Sequence, residues 1–127
     1  MKTIKINDQK KISELQQEFN ETFPFLRMEF FRHKHMGYQS SSKKDMLNTS
    51  LTLKQSSKQH NEGAIVLKES MKVSELEELF RELFGLSVQV FRKSGSSWIE
   101  TTFTDDWTLE RQNEEGRELS SLNDQQK

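Results

Sequence analysis

With 127 residues the chain has the size of one ordinary domain. Apolar residues make up 31% of it, so the core must be compact and must lean on nine phenylalanines. The absence of cysteine excludes disulfide frameworks, thiolate metal sites and cysteine nucleophiles. No apolar run approaches the ~20 residues that span a bilayer, and the N-terminus lacks the apolar core of a signal peptide. A soluble, cytoplasmic protein is expected.

Thr3 to Asn7 alternates polar and apolar, which predicts a first strand with Ile4 and Ile6 on its inner face. Ile12, Leu15, Phe19 and Phe23 then fall on one helical stripe. Ser13 with Gln16 fits a capping box, although Ile12 also suits the stripe, which would start the helix a turn earlier with Asp8 as cap. Pro24 stops the helix. Leu26, Met28 and Phe30 alternate as a second strand, with Phe31 on the opposite face. The stretch from His33 to Asp45 has no apolar periodicity and reads as a loop. Leu47, Thr49, Leu51 and Leu53 alternate with polar residues and predict a third strand, paired in a hairpin with a fourth at Ala64 to Lys68.

From there the pattern recurs. Ile4, Ile6, Ser13, Leu15, Phe19 and Phe23 match Ile65, Leu67, Ser74, Leu76, Phe80 and Phe84, each pair 61 positions apart. Beyond Phe23 the offset becomes 60, with Met28, Phe30, Phe31 and Arg32 matching Val88, Val90, Phe91 and Arg92. The second helix runs from about Val73 to Phe84, capped by Ser74 with Glu77 or a turn earlier by Ser70, and Gly85 ends it. A fifth strand follows, then a turn at Ser94 to Ser97 and a sixth strand from Trp98 to Thr104. Asp105 or Asp106 caps a short last helix carrying Trp107 and Leu109, and residues 117–127 are expected to form a disordered tail.

The order strand-helix-strand-strand, repeated over about 3–53 and 64–109, predicts a single α+β domain over 1–116. The expected plan is a ferredoxin-like mixed sheet built by duplication, with both helices on one face and a short C-terminal helix. A β-grasp-like core is the alternative, because strands three and four, the second helix and strands five and six have the order of ubiquitin-like folds.

The charge is unevenly spread. From Arg32 to Gln59, six basic residues (Arg32, Lys34, Lys43, Lys44, Lys54, Lys58) face one acid, Asp45, a net +5. From Asp105 to Lys127, seven acids face three bases, a net −4. The basic segment Arg32 to Lys58, with Tyr38 available to stack on a base, is a candidate nucleic-acid contact; a solvated basic surface is the simpler reading. His33 and His35 point the same way on an extended chain, and His60 would add a third ligand. Nothing fixes their separation, so no metal site and no cofactor are assigned. Asp105 and Asp106 beside Thr104 lack the spacing of a calcium loop and suit a helix start instead. Phosphate-binding glycine loops, the Gly-x-Ser-x-Gly elbow and the His-Glu-x-x-His helix are all absent.

No catalytic constellation remains. The expectation is a non-catalytic binding or scaffold protein that acts through its open sheet face or by self-association. Phe31 and Phe91 are placed on that face, with Trp98 as an interface anchor or a core residue. The expected contact residues are Phe31, Phe91, Trp98, Arg32, Arg92, Lys43, Lys44 and Tyr38. The partner is a protein or a second copy, with nucleic acid as the alternative and no membrane.

Overall fold

The computed structural model describes residues 2–32, 45–57 and 62–125, with side chains up to residue 121. The chain is α+β. In order it forms β1 (Lys2–Asn7), α1 (Ile12–Thr22), β2 (Leu26–Phe31), a single-turn α2 (Leu53–Ser56), β3 (Glu62–Leu67) and α3 (Val73–Phe84). Then come β4 (Ser87–Ser94), β5 (Ser97–Glu100), a 3-10 turn at Thr102–Thr104 and α4 (Leu109–Gln125).

The strands fall into two separate antiparallel sheets, β1-β3 and β2-β4-β5. This corrects the single mixed sheet of the ferredoxin-like plan, and the β-grasp alternative with it, since both needed a strand across Leu47 to Leu53. The hydrogen bonds of that segment explain the difference. The carbonyls of Leu51 and Thr49 accept the N–H groups of Ile12 and Ser13, at 3.0 and 2.9 Å. Leu53 and Lys54 donate to the carbonyls of Lys10 and Asp8. The segment spends its backbone groups on the first turn of α1, where free amides need acceptors, and no ladder forms. Its alternating leucines still bury: Leu53 is fully enclosed, and Leu47 and Leu51 pack on the core.

The first turn of α3 is satisfied in the same way. Val73 and Ser74 donate to the carbonyls of Trp107 and Asp105, at 3.0 and 2.8 Å, and Leu109 donates to Met71. Neither Ser13 nor Ser74 caps its helix; Lys11 and Lys72 occupy the cap positions without a side-chain cap bond of their own, and at α1 Glu14 Oε1 accepts the Lys11 amide at 3.1 Å. Gly85 closes α3 in the left-handed region at φ 62°, where a side chain would be strained, and its amide bonds back to Arg81.

Each of the two ladders that join the halves has one pair of positions sharing the sequence offset. Ile4 is the partner of Ile65 in the first sheet, and Glu29 is the partner of Gln89 in the second. The inner faces of both sheets, with the apolar stripes of α1 and α3, form one core around Phe19, Phe30 and Phe80, where Phe30 meets Phe80 edge-on at 5.7 Å.

The C-terminal half also departs from expectation. The last strand is shorter than predicted, and α4 runs through Gly116 to Gln125 where a tail was expected. Gly116 does not stop this helix. It lies against the end of the second sheet, where an added Cβ would meet Phe25 Cβ at 2.9 Å and the carbonyl oxygen of Lys93 at 3.2 Å. Its missing side chain lets the helix approach the strand.

Candidate functional site

On β2, Leu26, Met28 and Phe30 enter the core, so Arg27, Glu29 and Phe31 project to the other face of the sheet. Pairing sets Phe91 beside Arg27 and Gln89 beside Glu29, and sets Trp98 beside Lys93. The result is a groove of about 610 Å³ lined by Arg27, Glu29, Met46, Phe91, Ser97 and Trp98. Its volume falls among small-ligand sites, which run to roughly 300–1,000 Å³.

Arg27 organises the groove. Its Nε lies 2.6 Å from Glu29 Oε1, and its guanidinium carbon lies 5.9 Å from the centre of the Trp98 ring. Glu29 is 3% exposed. A carboxylate so enclosed needs charge and hydrogen-bond partners, and it has both: Arg27 on the groove side, and Gln16 Nε2 at 3.0 Å from α1. Gln89, its cross-strand partner, is enclosed as well, and its Oε1 has no hydrogen-bond partner among the described residues.

The expected contact residues divide among several places. Phe91 and Trp98 meet in the groove, both half-buried. Phe31 is 3% exposed and offers no surface, so a dimer that covers it has nothing there to cover. Arg32 is exposed and lines a different depression, with Phe31, Ser56 and Arg81. Arg92 lies on the helix side. Its Nη1 donates to Gln112 Oε1 at 2.9 Å, and it stands 5.7 Å from the Trp107 ring. Gln112 is fully buried and donates to both the carbonyl and the hydroxyl of Thr104, so the Arg92-Gln112 pair ties α4 to the sheet. Tyr38, Lys43, Lys44, His33, His35 and His60 lie outside the described residues. Asp105 lends its carbonyl to Ser74 at the start of α3. No cluster of metal-ligating side chains occurs among the described residues.

Sequence reasoning missed Arg27, Glu29 and Met46. The signal for the first two was the alternation itself: a strand reading Leu-Arg-Met-Glu-Phe declares Arg27 and Glu29 as one face. Met46 carried no such signal, because it reaches the groove through an isolated bridge to Phe31.

None of the known protein families, curated proteins or solved structures compared with this chain matches it. No helix among the described residues is long and apolar enough to cross a membrane.

Proposed function

We propose that this chain is a non-catalytic binding protein whose contact surface is the groove on the sheet face turned away from its helices. One observation carries the reading: Trp98 and Phe91 stand half-buried together, with the Arg27 guanidinium set beside the indole ring and tied to a buried carboxylate. An aromatic ring that is positioned from behind and open to solvent in front loses little entropy when a partner covers it, which is the character of an interface anchor. The scaffold supports the reading. One offset-matched pair in each ladder, Ile4 with Ile65 and Glu29 with Gln89, and the matching first-turn bonds in α1 and α3 fit a unit duplicated within the chain, with the groove on a sheet where the two halves pair.

A protein partner suits the groove better than a nucleic acid. Among the described residues that line it, Arg27 is the one cation, and it is already engaged by Glu29 rather than free for phosphates. Arg32 and Lys54, the described members of the basic segment, do not line it.

A photo-crosslinking residue placed at Ser97, on the groove rim, tests this in the native host against the same residue at Glu21 on α1. A discrete product containing another polypeptide, formed from position 97 only and lost with Trp98→Ala, is the expected result. Identical patterns from both positions would sink the reading. In parallel, labelled protein titrated with mixed short oligonucleotides should show an unmoved Trp98 indole signal; salt-sensitive shifts there would transfer the site to nucleic acid.

A further inference from the structure

β5 is the outer strand of its sheet, and among the described residues its far edge is unpaired. Thr101 N–H and Oγ1 both donate to the carbonyl of Val90, at 3.2 and 2.8 Å. By alternation Ile99 also turns its backbone groups toward β4, so Trp98 and Glu100 turn theirs outward. No backbone bond from another described segment closes that edge. Exposed strand edges are usually blunted by lysine, proline or a bulge, and Ser97-Trp98-Ile99-Glu100 contains no lysine or proline. Beside the edge stand two exposed apolar side chains, Ile99 at 38% and Phe103 at 83%.

We propose that this edge pairs antiparallel with β5 of a second copy of the chain, joining two three-stranded sheets about a two-fold axis at Ile99. The outward backbone groups permit two-fold axes at Trp98, Ile99 or Glu100, and side-chain chemistry selects among them. An axis at Glu100 opposes two carboxylates. An axis at Trp98 spends one of its pairings on Ser96, which lies in the turn beyond the strand. An axis at Ile99 opposes Trp98 to Glu100 on both sides, using strand residues alone. It also brings the two exposed Ile99 side chains together as a non-hydrogen-bonded pair, with Cα atoms about 4.5 Å apart.

A second copy is the partner because the strand complements itself. The same two residues supply every outward donor and acceptor, the carboxylates stay apart, and the exposed apolar side chain meets its own kind. Pairing of so short a strand buries less than a standard interface of about 1,600 Å², so the dimer is weak and concentration-dependent. The edge shares Ser97 and Trp98 with the groove, but it is argued from backbone groups and from Ile99, and the inference does not rest on the groove being a binding site.

The chain has no cysteine, so Ile99→Cys is a clean reporter. In the Ile99-centred dimer two such cysteines lie within disulfide reach. Under mild oxidation Ile99→Cys should form covalent dimer at least roughly tenfold faster than Glu21→Cys, exposed on α1, since pairing raises the local thiol concentration. Equal rates would overturn the proposal. Sedimentation of the unsubstituted chain from about 10 µM to about 1 mM should show a growing dimer fraction. A monomer throughout that range overturns it, and so does a dimer that survives Ile99→Lys in a protein whose melting temperature is unchanged.

Discussion

The three-stranded sheet has two edges, and the chain treats them in opposite ways. Along β2 the outward carbonyls are all occupied: Asn20 Nδ2 donates to Leu26, Gln16 Nε2 to Met28, and the backbone amide of Leu47 to Phe30. Along β5 no described segment does the same. Closing the β2 edge takes two amide side chains of α1 and the segment around Leu47. That segment also supplies the first turn of α1. The edge and the helix are therefore stabilised by one structure, which predicts that they fail together.

The largest effect is expected at Leu53. Its fully buried side chain pins the segment that closes the β2 edge and feeds α1. Leu53→Ala should cost about 2–5 kcal/mol, the range for truncating an enclosed leucine. Urea unfolding measures the loss, and hydrogen exchange should show the amides of Ile12 and Ser13 deprotected in step. A stability loss with those amides still protected would separate the two structures that the comparison joins.

Next comes Gln16. Gln16→Leu removes the donor to the Met28 carbonyl and to Glu29 Oε2 while keeping the volume apolar. The cost should be about 1–3 kcal/mol, the penalty of buried acceptors left without a partner. An edge opened in this way should also increase association at high concentration. A variant as stable and as monomeric as its parent would show that the amide does not guard the edge.

Gly116 gives a third, opposed test on the helix side of the same sheet. Alanine favours a helix interior by about 1 kcal/mol over glycine, but here its Cβ would press on Phe25 at 2.9 Å and on the backbone of Lys93. Overpacking of this kind costs about 1–3 kcal/mol, so Gly116→Ala should be neutral to destabilising in urea unfolding. A clear gain in stability would mean that α4 stands off the sheet.

These residues also mark what the sequence could tell. The helices α1 and α3, the core phenylalanines and the two faces of β2 were legible, because burial leaves a period in the chain. The equal offsets did not say which strand positions become partners: Ile6 matches Leu67 but pairs with Gly63, and Met28 matches Val88 but pairs with Val90. What could not be read was the destination of hydrogen bonds. Leu47 to Leu53 alternates like a strand because alternate residues are buried, yet its carbonyls serve a helix. Gly116 carries the mark of a helix stop, and only the proximity of Phe25 and Lys93 shows it to be a point of close approach. Phe91 and Trp98, two of the six residues that line the groove, were named from the sequence, although nothing there brought them together. Arg92 was listed as a contact residue because period two at the end of β4 does not say that Gln112 waits beside it.

The smallest effect sharpens the scale on which the closed edge is judged. Glu114 and Arg117 form an ion pair on α4 with both side chains about half exposed. The bond from Arg117 lowers the pKa of Glu114 below the ordinary carboxylate value. A folded pKa below the unfolded one means that the unfolded chain binds the proton more tightly. The pair's contribution is then present above the ordinary carboxylate range and disappears as pH falls through it. Water screens so exposed a pair, so Arg117→Gln should return Glu114 to its usual titration by NMR while hardly moving the unfolding midpoint. Gln16 makes similar bonds to Glu29, but inside the protein. If Arg117→Gln proved as costly as Gln16→Leu, burial would not be what gives the closed edge its strength, and the contrast between the two edges would rest on geometry alone.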